Sequence, residues 1–386
     1  MSKLKVLEII RQGKIGGGES HVIDVVSNID RDQFEPVVLS FTDGPMIRSL
    51  EEKDIKCHVI YTETPFDFRK WGQIKKLIKQ LNPDLIHAHG TRAMSNVFHV
   101  ASSIGIPLIY TVHGWSFHDD QKFPVKQLRI QSEKYLISKA DRVINVSQSN
   151  RDSGIEMLGD YPSRVINNGI DLDKFNFHID SGVELQNEME IPNGKIIVGA
   201  INRMTHQKNP LGLIDAFHHA IKYNDRLHLL MVGEGELFDI AKNKVKALDL
   251  HDQITFTGNR KDIPRLLSLI DIFCLPSFWE GLSLGLLEAM AMKKAIIASR
   301  VDGTSEVIIH RQNGLLFDSG NELQLSSLLL ELSENTDLCK SLGENAFKTV
   351  CEHHSVDTMV KSLEEEYLNI IENARDERDK DTGVFT

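Results

Sequence analysis

Two glutamates, Glu280 and Glu288, bracket a glycine-bearing turn in the stretch Ser277-Phe-Trp-Glu-Gly-Leu-Ser-Leu-Gly-Leu-Leu-Glu288. Ahead of it, Asp271-Ile-Phe-Cys-Leu-Pro276 reads as a buried strand ending at a proline. Behind it, an apolar run of good helix formers ends at Lys293 and Lys294, charges suited to a helix C-terminus. Strand, glycine turn and helix N-terminus form the geometry in which backbone N–H groups meet a phosphate. Gly281, Leu282 and Ser283 would supply that turn, with Glu280 at its mouth and Glu288 in the second helical turn. Carboxylates on either side of an anion site should accept hydrogen bonds from neutral hydroxyls, such as those of a sugar nucleotide. The bland alternative is a solvated loop acid and a surface helix acid.

A second constellation precedes it. In Gly199-Ala-Ile-Asn-Arg203-Met-Thr-His-Gln-Lys208-Asn-Pro210, Arg203 and Lys208 lie between a strand and a helix expected near Pro210. A planar guanidinium fork and an ammonium point charge suit a pyrophosphate; two surface cations are the plain alternative. Tyr110-Thr-Val-His113-Gly114 puts His113 where a strand ends and the chain turns, although a buried structural histidine reads the same way. Gln12-Gly-Lys-Ile-Gly16-Gly17-Gly18-Glu-Ser20 is a glycine loop between the first strand and a helix near Glu19. Its spacing is not that of a nicotinamide fingerprint. His87-Ala-His89 closes another strand; the pair shares a face but has no third ligand at a suggestive spacing, and no metal is expected there.

These residues need strands to carry them, and the chain is long enough, at 386 residues, for two domains with full cores. Hydrophobic (41%) and charged (26%) fractions are those of an ordinary globular protein. Residues 1–180 balance 23 basic against 23 acidic residues, so the net charge of −11 falls on the remainder. An acidic chain of pI near 5.8 argues against non-specific nucleic-acid binding. Cys57, Cys274, Cys339 and Cys351 show no zinc or redox spacing, which points to reduced thiols in a cytoplasmic protein. The N-terminal apolar run is interrupted by Glu8 and reads as a first strand rather than a signal peptide. No stretch reaches the roughly 20 apolar residues of a membrane span.

Strand-like runs alternate with helical patterns throughout, the signature of parallel α/β architecture. Strands are expected at Lys5–Ile10, Pro36–Phe41, His58–Tyr61, Leu85–Ala88, Leu108–Val112 and Arg142–Val146 in the first half. The second half offers Lys195–Ile201, Leu227–Val232, Gln253–Thr257, Asp271–Leu275 and Ala295–Ala298. The polar stretch about 170–194 reads as a linker, giving domains 1–170 and 171–355. Such doubly wound units bind ligands at the carboxyl ends of their strands, here in a cleft between two of them. A strong helix is expected over about 356–372, followed by a disordered tail, 373–386. Arg69–Leu81 is an amphipathic helix with Lys75, Lys76 and Lys79 beside its apolar face. It suits either an anionic lipid surface or packing on a sheet.

Taken in order, these motifs resemble the retaining GT-B glycosyltransferases of family 4, over about residues 1–318. The Glu280–Glu288 stretch is similar to the family's Glu-x7-Glu signature, and Arg203…Lys208 to its Gly-Arg-Leu…Gln-Lys-Gly element, with Asn202 where glycine is usual. Leu229–Glu236, containing Gly233, and Thr257–Asp262, containing Arg260, continue the match; Val301–Ile308 does so with Asp302 replacing a common glycine. The resemblance implies two Rossmann-like domains, with the last helix crossing back to the first. It assigns Glu280 and His113 to the transferred sugar, Glu288 to the ribose, Arg203 and Lys208 to the diphosphate, and the Thr257–Asp262 loop to the base. Gly16 and Gly17 would face the donor phosphates and the acceptor. The implied activity is hexosyl transfer, with retention, from a nucleotide diphosphate sugar (UDP-sugar favoured) to a carbohydrate or lipid-linked acceptor. Such an enzyme would serve surface polysaccharide or glycoconjugate synthesis, without divalent metal or other cofactor. Asp171-Leu-Asp173 is formally a metal motif of the other glycosyltransferase fold, but its linker position reads as a turn. A GT-B sugar-nucleotide epimerase or a non-catalytic sugar-nucleotide binder is the alternative. An epimerase needs acid/base carboxylates at the sugar ring, and none beyond Glu280 is in view. A non-catalytic binder would be expected to lose Glu280 or the phosphate cations.

Overall fold

The computed structural model describes residues 3–14, 16–118, 121–178 and 182–381. The chain divides into two compact units: unit 1 is Met1–Gly169 with Val356–Thr386, and unit 2 is the unbroken stretch Ile170–Ser355.

Among the described residues, unit 1 carries a seven-stranded parallel sheet built from β1 (Leu4–Ile10), β2 (Phe34–Ser40), β3 (Lys56–Val59), β4 (Leu85–His89), β5 (Leu108–Val112), β6 (Arg142–Asn145) and β7 (Ser163–Val165). Its order is β3-β2-β1-β4-β5-β6-β7. The central strands are apolar runs buried on both faces, as parallel sheets require. From β1 the chain moves outward to β2; from β4 it moves the other way to β5. The loops leaving β1 and β4 therefore diverge, and the crevice between them is where doubly wound sheets take ligands.

The terminal helix, Val356–Asp381, closes one face of this sheet. Val356, Met359, Val360, Leu363, Tyr367, Ile370 and Ile371 recur at helical spacing and pack with Val6, Val25, Phe34, Leu85, Ile109 and Ile144. Glu366 fixes its register, accepting from Arg142 Nε at 2.5 Å and from Arg164 Nη1 at 2.9 Å. The helix runs past 372 as far as Asp381, which corrects the expected disordered tail over 373–381; residues 382–386 lie outside the described residues. The Glu, Arg and Lys that gave that tail its disordered composition are also good helix formers, and Arg375 reaches Asp84 at 3.3 Å.

The helix Phe68–Leu81 forms as its spacing predicts, but it packs on the sheet. Ile74, Ile78 and Leu81 are buried in the core, and the Trp71 ring stacks on His99 at 4.7 Å. Its apolar face is therefore not available to lipid, and what it leaves to solvent includes Lys76 and Lys79.

Unit 2 holds a six-stranded parallel sheet of β8 (Ile196–Ile201), β9 (Leu227–Val232), β10 (Ile254–Gly258), β11 (Ile272–Leu275), β12 (Ala295–Ser299) and β13 (Leu315–Phe317), in the order β10-β9-β8-β11-β12-β13. Here the crevice opens between β8 and β11, from which the chain departs in opposite directions. The core gathers Val198, Leu229, Ile272, Cys274 and Ile297 from the strands, with Leu213 and Phe217 from the helix Pro210–Ile221. In the stretch before β8, the Asp171 carboxylate accepts from Asp173 N at 3.0 Å and Lys174 N at 2.9 Å, closing a turn.

Candidate functional site

Unit 2 brings the loops after β8 and β11 into contact. Lys208, at the end of a short 3-10 turn, forms an ion pair with Glu280, and their side chains are 12% and 5% exposed. Ser277 Oγ donates to the same Glu280 oxygen at 2.6 Å. Two hydrogen bonds seat the loops on each other: Phe278 N donates to Gln207 O at 2.8 Å, and the Gln207 side-chain Nε2 to Trp279 O at 2.9 Å. Lys208 and Glu280 are 72 residues apart and meet because β8 and β11 are neighbours in the sheet.

Asp302 supports this turn. Its carboxylate accepts the Glu280 N–H at 3.1 Å. Its φ of 27° lies in the left-handed region, which suits glycine, and a short polar side chain with a local partner is the tolerated exception. Beside it, a Cβ on Gly303 would fall 1.7 Å from Gly281 O, so only glycine lets the chain after β12 lie against the Gly281 turn. Gly233 is equally constrained, with φ of 120° and a Cβ position 2.1 Å from Asn202 O.

The helix Leu284–Ala291 starts at Ser283, whose side chain makes no capping bond. Its first N–H groups lack that internal partner, the condition for receiving an anion. Leu282 is buried beneath the turn, and Glu288 is half-buried on the second turn of the helix. Arg203 is exposed and makes no side-chain hydrogen bond or ion pair among the described residues. Arg260 is committed elsewhere: its guanidinium grips Asp262 through two bonds, of 2.8 and 2.7 Å, and Glu188 at 2.9 Å. Those acids raise its pKa further, so it is a brace for its loop rather than an open cation.

In unit 1 a polar cluster gathers where β1, β4 and β5 end. Glu8, fully buried, accepts from His89 Nε2 at 2.7 Å and from the Tyr367 hydroxyl at 2.9 Å. His89 Nδ1 lies 3.2 Å from His113 Nε2. His87 joins Tyr367 and Thr111, each at 2.7 Å. His21 bonds Asn168 at 3.0 Å through Nδ1, while its buried Nε2 has no partner. Burial holds the His89 pKa down at about 4 and that of His21 at about 3, and pushes that of His113 well below the ordinary value, so these rings are neutral at pH 7. Glu8 is ionised: burial would raise its pKa, but its contacts with His87 at 3.2 Å and His89 at 2.7 Å outweigh it.

The glycine loop reaches this cluster through Gly18, where a Cβ would lie 3.3 Å from the His113 ring. Gly16 is the extended residue before the helix Gly17–Asn28, and a Cβ on Gly17 would meet open space. The sequence offered no third ligand beside His87 and His89, but the fold supplies two candidate sets. Ligand atoms of His21, His89 and His113, and those of Glu8, His87 and His89, lie within 4.8 Å of one another. Glu8 was legible only as an interruption of an apolar strand; its partners come from β4 and the terminal helix, and no spacing announces them.

Comparison with known proteins agrees with this arrangement. The family profile "Glycosyltransferase Family 4" matches residues 15–174, and "Glycosyl transferases group 1" matches residues 184–349. The UDP-Gal:alpha-D-GlcNAc-diphosphoundecaprenol alpha-1,3-galactosyltransferase of Escherichia coli is 23% identical over 384 residues, covering 96% of this chain and 98% of its own. A Campylobacter jejuni enzyme named as an alpha-1,4-N-acetyl-D-galactosaminyltransferase acting on a diNAcBac-PP-undecaprenol glycan is 23% identical over 383 residues, covering 95% and 98%. The crystal structure of Anabaena Alr3699/HepE in complex with UDP-glucose superposes with a TM-score of 0.85 at 24% identity, over 95% of this chain and 100% of that one. With two Rossmann-like units and both family profiles matched in order, the chain belongs to glycosyltransferase family 4 and has the GT-B fold.

Proposed function

We propose that this enzyme moves a hexose, with retention of configuration, from a UDP-sugar to a carbohydrate or lipid-linked acceptor in surface polysaccharide or glycoconjugate synthesis. The observation that carries the reading is the buried Lys208–Glu280 pair beside the Leu284–Ala291 helix N-terminus, at the crevice between β8 and β11. Arg203 and Lys208 bind the diphosphate, Glu288 accepts from the ribose hydroxyls, and Glu280 and His113 hold the transferred sugar. As the glycosidic bond breaks, the departing diphosphate gains charge and the anomeric carbon becomes oxocarbenium-like. Fixed cations and helix N–H groups aimed at that charge are the main catalytic term, and they do this work without a divalent ion.

The UDP complexes of Alr3699/HepE favour uracil as the base, and the undecaprenol acceptors in the relatives' names favour a lipid-linked glycan. The test is a thermal-shift screen against UDP-, GDP- and ADP-sugars, followed by release of nucleotide on addition of a polyprenyl diphosphate sugar. A response to UDP-sugars with acceptor-dependent release supports the reading. Binding without release under any acceptor would leave a non-catalytic binder.

A further inference from the structure

The hydrogen-bond cluster of unit 1 fixes the proton positions on its histidines, and with them the chemistry that His113 presents. Glu8 is ionised and can only accept. His89 Nε2, 2.7 Å from it, must therefore carry a proton. In a neutral imidazole the other nitrogen is then bare, so His89 Nδ1 is an acceptor. Its neighbour at 3.2 Å, His113 Nε2, must supply the proton of that bond. His113 Nδ1 is left with a lone pair and no hydrogen.

The rest of the cluster obeys the same bookkeeping. Tyr367 spends its only proton on Glu8 at 2.9 Å, so its oxygen accepts from His87 Nδ1 at 2.7 Å. His87 Nε2 is then bare and accepts from the Thr111 hydroxyl at 2.7 Å. Two histidines of one strand, His87 and His89, thus hold opposite tautomers, and every one of these contacts has one donor and one acceptor.

We propose that Glu8, held by Tyr367 of the terminal helix, acts through His89 to lock His113 in the Nε2–H tautomer, so that its Nδ1 accepts a hydrogen bond from a hydroxyl of the transferred sugar. This rests on the reading that His113 touches the sugar. Glu8, His89 and Tyr367 are positioning residues: none is assigned a contact with substrate. The arrangement selects a hydroxyl donor at that point of the sugar and disfavours a group that can only accept. It also makes the last helix of the chain part of the machinery of unit 1.

The test is nitrogen-15 NMR of the full chain with labelled histidine, beside steady-state rates. Wild-type protein at pH 7 should show His89 and His113 as Nε2–H tautomers and His87 as Nδ1–H. Glu8→Gln is nearly isosteric but can donate to His89 Nε2, which inverts the chain and leaves His113 as Nδ1–H. Its kcat should fall by about 10²-fold or more, as wrong-tautomer variants of hydrogen-bonded catalytic histidines do, while affinity for UDP stays unchanged. Should Glu8→Gln fail to fold, Tyr367→Phe removes one donor to the ionised Glu8 and should lower kcat by roughly tenfold or more, the scale of one hydrogen bond to a charged group. His89 in the Nδ1–H form in wild type overturns the proposal. So does a transition metal retained stoichiometrically by His21, His89 and His113 in purified protein. Tautomers as assigned, with full turnover in His113→Ala, would instead overturn the sugar contact on which the proposal rests.

Discussion

Glu280→Gln should separate binding from chemistry in an unexpected direction. Lys208, proposed for the diphosphate, is paired with Glu280, with both side chains nearly out of solvent. Breaking a buried ion pair by removing one partner costs about 3–5 kcal/mol. Glutamine keeps the shape and one acceptor, so about 2–3 kcal/mol is expected here. For a domain the size of unit 2, at about 2–4 °C per kcal/mol, that lowers its melting transition by about 4–12 °C. The same change removes the competitor for Lys208, so UDP affinity should hold or tighten by up to about tenfold, roughly 1.4 kcal/mol. Turnover should fall by about 10²–10³, the scale of one lost charge-stabilising contact in a transition state. Calorimetry with UDP beside donor turnover reads both effects, and Lys208→Met with the double variant completes the cycle. A tenfold or greater loss of UDP affinity in folded Glu280→Gln would refute the assignment of Lys208 to phosphate and Glu280 to sugar.

Glu288→Ala should weaken UDP and intact donor alike, by about 10- to 150-fold, since a bond to a charged group is worth about 1.5–3 kcal/mol and the ribose is common to both; unequal losses in calorimetry would move Glu288 off the ribose. His113→Ala should cut turnover far more than UDP affinity, and a large loss of UDP binding would show its role misassigned. Turnover should survive excess EDTA, because Arg203 and Lys208 supply the positive charge; loss restored by magnesium or manganese contradicts this. The folded-state pKa values of His21 and His89, about 3 and 4 against 6.5, are depressed chiefly by burial. Their contribution is complete above pH 6.5 and is lost as pH falls through that window, where the unfolded chain takes up protons that the folded one refuses. Unfolding free energy should therefore drop steadily from pH 7 to 4.5, on the order of several kcal/mol, and the melting temperature with it; a rise on acidification would exclude neutral buried histidines.

The strand skeleton was legible because parallel strands buried on both faces are continuous apolar runs, and each of the expected strands forms to within a few residues. Ser163–Val165 and Leu315–Phe317 are not legible, because three residues at a sheet edge carry no period. Along the helix Phe68–Leu81 the apolar face was readable, but nothing in the spacing says whether sheet or lipid covers it. Lys208 and Glu280 could be named from their motifs; that they neutralise each other follows only from β8 lying beside β11. Asp302 stood out as a departure from glycine, and its φ of 27° with the bond to Glu280 N explains both the usual residue and this one. The Glu8 cluster was illegible because it joins residues as far as 359 positions apart.

That separation has a consequence for how the chain is made. Unit 2 is continuous in sequence, whereas unit 1 waits for a helix that begins only at Val356. At about 5–20 residues per second, the intervening 186 residues take the ribosome some 10–40 seconds. Throughout that interval the nascent sheet of unit 1 exposes the face made by Val6, Phe34, Leu85 and Ile109, and Glu8 lacks its Tyr367 donor. A chain released before residue 367 would carry a complete unit 2 and a unit 1 without its finishing helix. Premature termination within that interval thus leaves the Lys208–Glu280 crevice of unit 2 intact, while Glu8 and the apolar sheet face of unit 1 stay without the helix that covers them.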